Sequence, residues 1–218
     1  MTSSHSPGQR LLQQLPRSAD STNLPCIAER LGRLFGLGDT MNLDAAIAWR
    51  SRHPGSPQAA VVERMTEELA TSRRALVRRI EDWAGEVTFD DEPAFEPLQN
   101  AWLGVQRKVA ATSRQLRDKV RKAMKEQGSA LAHLAELDAV FDHAMASYTS
   151  QCFAKVPREL EQRFQTLQNA DRPTPDADDW LHRYCEEAQN LLLAELDVRL
   201  EPVLGLLEAC HNEVSEHS

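Results

Sequence analysis

Leu191-Leu-Leu-Ala-Glu-Leu-Asp-Val-Arg-Leu-Glu-Pro-Val-Leu-Gly-Leu-Leu207 has the pattern of a helix that is apolar on most of its sides. On a wheel of about 100° per residue, one arc roughly 120° wide collects Leu192, Leu193, Leu196, Leu200, Val203, Leu204 and Leu207. A second apolar stripe consists of Leu191, Val198 and Leu206. Because such a helix buries its surface only with neighbours on at least two flanks, we predict that it lies at the centre of a helical bundle.

The composition of the 218 residues also favours helices over strands. Aromatic residues make up only 6% of the chain, whereas good helix formers such as Leu, Ala, Glu, Arg and Gln are frequent. Hydrophobic residues, at 41%, suffice for a sizeable core. We therefore predict an all-α fold, an elongated bundle of about four long helices with coiled-coil-like seams and a small N-terminal helical hairpin.

Proline and glycine positions divide the chain into three predicted segments. Residues 1–23 form an arm that is either disordered or a short helix. Residues 24–53 form the helical hairpin, in which Gly36 and Gly38 end the first helix and polar residues just after Gly38 cap the second. After a break rich in proline and glycine, residues 57–218 form the long-helix bundle.

Apolar spacing predicts the helices of the bundle. Helices are expected over 57–83 and from 93 to near 128. The helix that follows is expected to pack against the core through an inner face of Leu134, Phe141, Met145, Tyr148 and Cys152. Pro157 interrupts this helix, and Pro202 bends the last helix, because proline removes a backbone donor.

Residues 107–125 carry eight basic side chains and one acidic side chain, although the whole chain has a net charge of −8. Such a helix can bind phosphates of nucleic acid or of an anionic membrane, or it can be a solvated face that pairs with acidic neighbouring helices. The net acidity of the chain favours the second interpretation. The candidate patch for an anionic partner comprises Arg107, Lys108, Arg114, Arg117, Arg121, Lys122 and Lys125. A second basic group comprises Arg73, Arg74, Arg78 and Arg79.

Glu195 and Arg199 form a candidate structural ion pair on the mostly apolar last helix. They are four residues apart, so their side chains can meet on one face. In one interpretation they form an edge pair whose charged ends reach solvent on long stems. In the other, the pair is partly buried and determines which neighbouring helix packs there.

Motifs for catalysis and for cofactors are missing from the sequence. It contains no phosphate-binding glycine loop, dinucleotide fingerprint or nucleophile elbow. Asp179, His182 and Glu186 can share a helix face, but a di-iron bundle requires two Glu-x-x-His elements and two further glutamates. The four cysteines are far apart, which is typical of reduced thiols rather than of a zinc or redox motif. We predict no catalytic residue, no metal site, no cofactor and no enzymatic activity.

The sequence also has no pattern of export or of membrane insertion. Its N-terminus lacks the apolar segment of a secretory signal, and its aliphatic runs are far shorter than the ~20 residues that span a bilayer. We therefore expect a cytoplasmic protein without a membrane span, and attachment to a membrane through a partner stays open.

Two stretches resemble a bacterial domain-of-unknown-function family. Leu192-Leu-Ala-Glu-Leu-Asp-Val-Arg-Leu-Glu-Pro-Val-Leu-Gly-Leu-Leu-Glu208 resembles its C-terminal signature. Ala28-Glu-Arg-Leu-Gly-Arg-Leu-Phe-Gly-Leu-Gly-Asp-Thr-Met-Asn-Leu-Asp-Ala-Ala-Ile47 is similar to its N-terminal signature, although members often have Trp-Thr-Asp where this chain has Leu37-Gly38-Asp39. The resemblance implies genes beside those of proton-motor-like membrane proteins and OmpA-like, peptidoglycan-binding proteins, and thus an accessory role near an envelope assembly. It supplies no catalytic residue.

These observations predict a helical scaffold or adaptor that acts through protein–protein contacts, alone or as a homodimer. Its expected partners are proteins, among them motor-like or OmpA-like envelope proteins. The alternative from another class is a nucleic-acid-binding protein that uses the basic helix at 107–125. A metalloenzyme ranks third, because its ligand set is incomplete.

Overall fold

The computed structural model describes residues 36–48, 55–89, 92–170 and 177–217. Within these ranges the chain forms six α-helices and no strand, which confirms the predicted all-α bundle. The helices are α1 Leu37–Ala48, α2 Ala59–Glu81, α3 Phe95–Met124, α4 Ser129–Phe153, α5 Val156–Ala170 and α6 Ala177–Glu216. The predicted arm at 1–23 and the first helix of the predicted hairpin lie outside the described residues, so the three-segment division stays a prediction.

The helices contribute to two compact units. Among the described residues, unit 1 consists of 70–89, 92–114, 153–170 and 177–201, and unit 2 consists of 36–48, 55–69, 115–152 and 202–217. Consequently α2, α3 and α6 each supply residues to both units.

Of the roles predicted for proline and glycine at helix ends, the structure confirms the one near Pro157 and contradicts the one at Gly38. Val156 and Pro157 open α5 after a two-residue turn, so the predicted interruption is present. Pro202 lies inside α6, and the bend expected there stays a prediction. Gly38 was expected to end a helix but lies within α1, where the Gly36 amide donates to the Asp39 carboxylate at 2.9 Å. This bond satisfies a backbone donor at the N-terminus of α1, so the helix starts before Gly38 rather than after it.

Aromatic side chains form much of the core of unit 1. The Phe164 ring lies 5.1 Å from Trp180 and 5.2 Å from Tyr184, centroid to centroid, and both pairs are edge-to-face. On α6, the carbonyl of Ala188 accepts a hydrogen bond from the Trp102 indole at 3.0 Å. Each buried indole needs such an acceptor, so these contacts set the positions of α3 and α5 against α6.

The central position predicted for α6 agrees with its burial in most places. Leu192, Leu196, Leu200, Val203 and Leu207 are buried, and around Leu191–Leu196 nearly every side chain is buried. Leu193 of the same arc is half-buried, and Leu204 is exposed over 54% of its surface. The position of Leu204 at the edge of the apolar arc explains this, because the buried side of the helix extends instead to Leu206 and Cys210.

The predicted inner face of α4 was wrong. Leu131, Ala132, Ala135 and Phe153 are the buried apolar residues of this helix, whereas Phe141, Tyr148 and Cys152 are exposed. The sequence interpretation placed the apolar stripe on the inner face. In the structure, aspartates of α4 face α3, because arginines of α3 compensate their charge.

The turn between α3 and α4 holds the segment that enters α2. The Gln58 amide donates to the side-chain oxygen of Gln127 at 2.7 Å, and the Gln127 side chain is buried. Gly55 lies so close to the carbonyl of Glu126 that an added Cβ would collide with it. Gly128 has φ of 126°, a conformation that other residues rarely adopt.

Candidate interaction surfaces

Two arginines of the predicted basic patch are bonded to the same chain. Arg121 donates from Nε to Asp138 Oδ2 at 2.6 Å and from Nη2 to Asp142 Oδ2 at 2.7 Å. Arg117 donates from Nη2 to Asp138 Oδ1 at 2.5 Å, from Nε to Asp138 Oδ2 at 2.8 Å and from Nη1 to Asp142 Oδ1 at 2.6 Å. Asp118 completes the group at 2.9 Å from Arg121. The result is a paired arginine–aspartate cluster between α3 and α4 in unit 2.

The electrostatics of this cluster follow from its geometry. Burial alone would raise the pKa of Asp138, but hydrogen bonds from Arg117 and Arg121 hold it below its ordinary value. Burial alone would lower the pKa of Arg121, and the same bonds with Asp142 and Asp138 raise it instead. Both groups are therefore charged at neutral pH, and the guanidinium donors are directed toward α4.

The other residues of the predicted patch divide into two groups. Lys125 pairs with Glu136 at 2.6 Å, and the neighbouring Lys119 contacts Glu68 of α2. The exposed remainder consists of Arg107, Lys108, Arg114 and Lys122, for which no ion pair is seen among the described residues. Of the second basic group, Arg73 bonds to Asp197 at 3.1 Å. The predicted patch is thus partly an internal contact and partly a solvated surface.

The predicted pair Glu195–Arg199 lies in the interior of unit 1. Arg199 donates from Nε to Glu195 Oε1 at 2.7 Å, and Gln106 of α3 donates to Glu195 Oε2 at 2.8 Å. The Glu195 residue is only 1% exposed. The Arg199 guanidinium carbon lies 4.3 Å from the centre of the Phe153 ring, which is cation–π geometry.

The buried glutamate joins three elements of unit 1. Burial raises the pKa of Glu195 above its ordinary value, although Arg199 and Gln106 act in the opposite direction. Through its two oxygens the carboxylate connects α6 with α3, and Arg199 extends the contact to the last residue of α4. The pair is thus largely buried, as in the second interpretation, and its role in determining which helices pack there stays a prediction.

The candidate metal ligands lie near the N-terminus of α6. His182 Nδ1 and Glu186 Oε1 are 3.8 Å apart, and both side chains are largely exposed. The side chain of Asp179 lies outside the described part of the chain. No group of three potential metal ligands occurs within the described ranges. Cys152, Cys185 and Cys210 are free thiols, and burial raises the pKa of Cys210 to about 11.

The apolar stripe of α4 is a surface feature that the sequence interpretation missed. We call it the α4 surface, and it comprises Leu137, Phe141, Ala144, Met145, Tyr148 and Cys152. These residues follow one another at intervals of three or four, apart from the adjacent Ala144 and Met145, so they share one side of the helix. The exposed fraction of the residue surface is 44% for Phe141 and 42% for Tyr148. The α4 surface therefore presents aromatic and thioether groups to solvent.

The composition around the α4 surface is unusual for an exposed helix. Residues 143–154 contain no Asp, Glu, Lys or Arg, although these types make up 27% of the chain. Protein interfaces are enriched in Tyr, Phe and Met and depleted of Lys, Glu and Asp. A search for uncharged runs would have found this stretch from the sequence, whereas a search for buried faces assigned it to the core.

The described residues also bear on membrane insertion. None of the helices in the described ranges has the length and apolar character required to cross a membrane.

Comparison with known proteins identifies the family. Neither the curated proteins nor the solved structures give a significant match. A family profile, by contrast, matches residues 2–212, nearly the whole chain. The chain therefore belongs to the family described as "Protein of unknown function (DUF3348)".

Proposed function

We propose that this protein is a non-enzymatic helical adaptor that binds other proteins through the α4 surface. The observation that carries the proposal is the exposure of Phe141 and Tyr148 on a helix segment without charged residues. A solvated helix normally has charged side chains on its outer face. Exposed aromatic groups in an uncharged surrounding are characteristic of a contact surface instead.

The internal position of the ionic groups supports this proposal over the nucleic-acid alternative. A phosphate-binding helix needs free basic donors, and Arg117 and Arg121 already donate to Asp138 and Asp142. The buried Glu195 also has a structural explanation, since both of its oxygens accept hydrogen bonds. Neither cluster needs a substrate to explain its geometry.

The resemblance described above supports a location for the adaptor. It implies gene neighbours that encode proton-motor-like membrane proteins and OmpA-like, peptidoglycan-binding proteins. We infer a role at the cytoplasmic side of such an envelope assembly, with attachment to the membrane through a protein partner.

Affinity capture from the native host tests the proposal with a matched pair of variants. Phe141→Glu/Tyr148→Glu places two charges on the α4 surface. His143→Glu/Ser150→Glu places two charges with the same spacing on exposed positions of the opposite side of α4. A partner identified by mass spectrometry should be retained by the wild type and by the second variant, and lost from the first.

Two controls complete this experiment. Both variants must keep the helical circular dichroism and the melting temperature of the wild type, so that a lost partner reflects the surface and not unfolding. If the same proteins are captured by all three forms, the α4 surface is not the site of adaptor function and the proposal fails.

A further inference from the structure

We infer that α3 binds the α3 helix of a second copy of this chain in an antiparallel pair, through reciprocal contacts between Glu96 and Arg107. The inference is independent of the proposed function, because it concerns a different helix and a different surface. It depends on three observations in unit 1, namely exposed charges without a partner, their separation along the helix, and a glycine beside them that packing within the chain does not require.

One side of α3 faces away from the core of unit 1. We call it the α3 stripe, and it consists of Glu96, Asn100, Leu103 and Arg107. The intervals of four, three and four residues place these side chains in one row along the helix. Leu98, Trp102 and Val109 lie on the opposite side and are buried. Within the stripe only Leu103 is partly buried, and the other three residues are exposed.

The charged groups of the α3 stripe have no partner in the described part of the chain. Neither Glu96 nor Arg107 makes a hydrogen bond or an ion pair there through its side chain. Arg117 and Arg121, further along the same helix, are by contrast bonded to carboxylates of α4. The charges of the stripe are therefore available to a group from another molecule.

Acidic and basic side chains are separated along this part of the sequence. Residues 81–96 contain seven acidic side chains and no basic one, whereas residues 107–114 contain three basic side chains and no acidic one. The helix α3 thus begins in an acidic region and becomes basic in its middle. A parallel pair would place like charges together, but an antiparallel pair places the acidic start of each helix against the basic middle of the other. This charge complementarity is what selects a second copy as the partner.

The α3 stripe is also symmetric about the point between Ala101 and Trp102. Glu96 and Arg107 lie equally far from this point, as do Asn100 and Leu103. A two-fold axis generates contacts in which residue i of one protomer meets residue j of its partner and the reverse also holds. An antiparallel pair centred here therefore contains the Glu96–Arg107 contact twice, at positions about 16 Å apart along the helix.

Gly104 is a separate reason to expect a close approach at this side of α3. It lies inside the helix next to Leu103, and no other part of the chain lies within 4 Å of the place that a Cβ would occupy. A glycine inside a helix is less stable than alanine, and packing within this chain does not require one here. A second helix that packs on the stripe does favour a small residue, because packed helix axes are only about 8–10 Å apart.

The pair should be weak and sensitive to salt. Exposed ion pairs contribute little to stability, and dissolved ions screen them. Association should therefore increase with protein concentration and decrease with added salt.

Sedimentation equilibrium at low and at high salt tests the association. At low salt the average mass of the wild type should rise with concentration above the 24.5 kDa of one chain. Either Glu96→Lys or Arg107→Glu makes both contacts repulsive and should weaken association by about tenfold or more. Glu161→Lys and Arg158→Glu, at exposed positions of α5, change the net charge equally and should associate like the wild type.

Exchange of the two charges tests the specific contact. The double variant Glu96→Lys/Arg107→Glu should associate like the wild type, and an equimolar mixture of the two single variants should also recover the pair. A wild type that stays monomeric at every concentration at low salt overturns the inference. So does a double variant that associates no better than the single variants.

Gly104→Gln tests the close approach at the centre of the pair. Its side chain fits the isolated chain, so the melting temperature at low protein concentration should stay equal or rise, because glutamine is a better helix former than glycine. The same variant should associate at least about tenfold more weakly than the wild type. Unchanged association of the folded variant would contradict the pairing of the two α3 stripes.

Discussion

Arg121 Nε lies 2.6 Å from Asp138 Oδ2, and this contact directs an acidic side of α4 toward a basic side of α3. Together with Arg117 and Asp142, this contact puts four charged groups between α3 and α4. At this side of α4 the sequence pattern predicts apolar side chains instead. The apolar stripe of α4 consequently points elsewhere. The same contact thus accounts for the loss of part of the predicted basic patch and for the exposure of the α4 surface.

Asp138→Ala should destabilise unit 2 strongly. It would remove the more deeply buried of the two carboxylates that Arg117 and Arg121 share, although their side chains are only 13% and 11% exposed. Removing one partner of a buried ion pair typically costs about 3–5 kcal/mol. Chemical denaturation measures the loss, with Asp118→Ala as the control, since that carboxylate is largely exposed and its removal should cost at most about 1 kcal/mol. Equal effects of the two substitutions would contradict the importance of the Asp138 contacts.

Asp138 and Glu195 should give opposite pH dependences of stability. The pKa of Asp138 is lowered in the folded protein, so its contribution is present above its ordinary pKa of 3.8 and is lost as the pH falls through the folded value. The pKa of Glu195 is raised by burial in the folded protein. As the pH rises, Glu195 therefore loses its proton at a lower pH in the unfolded chain than in the folded protein. The stability of the wild type relative to Glu195→Gln should therefore decrease as the pH rises above 4.5, and then level off.

The measurement is the difference in unfolding free energy between wild type and each variant, Asp138→Asn or Glu195→Gln, across the acidic range. Taking differences removes the contributions of the other carboxyl groups. The same slope for both residues would show that one of the two pKa directions is wrong.

Leu196→Asp should unfold the bundle far more readily than Leu204→Asp, although both residues lie on α6. Leu196 is fully buried, so an aspartate there would place an unpaired charge in the core. Leu204 is 54% exposed, so the new charge would remain in water. Thermal melting of the two variants measures the difference, and similar melting temperatures would contradict the described packing of α6.

Gly55→Ala and Gly38→Ala should change stability in opposite directions. At Gly55 the new Cβ would collide with the Glu126 carbonyl, and such overpacking costs about 1–3 kcal/mol. At Gly38 nothing lies within 4 Å, and alanine in place of a helical glycine contributes roughly 0.5–1 kcal/mol. Denaturant unfolding would show the two signs, and stabilisation by Gly55→Ala would exclude the close approach to the turn at Gly128.

Nucleic-acid binding should be weak, with a dissociation constant of roughly 10⁻⁴ M or worse at physiological salt. The relevant variant is Arg107→Glu/Arg114→Glu/Lys122→Glu, because these side chains are exposed and their reversal leaves the arginine–aspartate cluster intact. Fluorescence anisotropy with labelled DNA at several salt concentrations gives the affinity. Submicromolar, salt-dependent binding that is lost in this folded variant would put the nucleic-acid function first.

The helical architecture was predictable from the sequence because it depends on local periodicity. The apolar arc of α6, the interruption at Pro157 and the absence of alternating patterns are properties of neighbouring residues. The burial of Leu192, Leu196 and Leu200 follows from the same arc. The pairing of Glu195 with Arg199 was also predictable, since residues four apart in a helix meet.

The sequence by itself thus determined that the chain forms helices and which side of α6 is buried, because helix periodicity and apolar burial act within one segment. Only the tertiary structure decided that α4 faces α3 with Asp138 and Asp142, and that Gln106 reaches Glu195. Partners separated by many residues decide whether a charge can be buried, because burial is favourable only when an opposite charge or a donor is already in place. An apolar stripe is therefore not always the inner face of a helix.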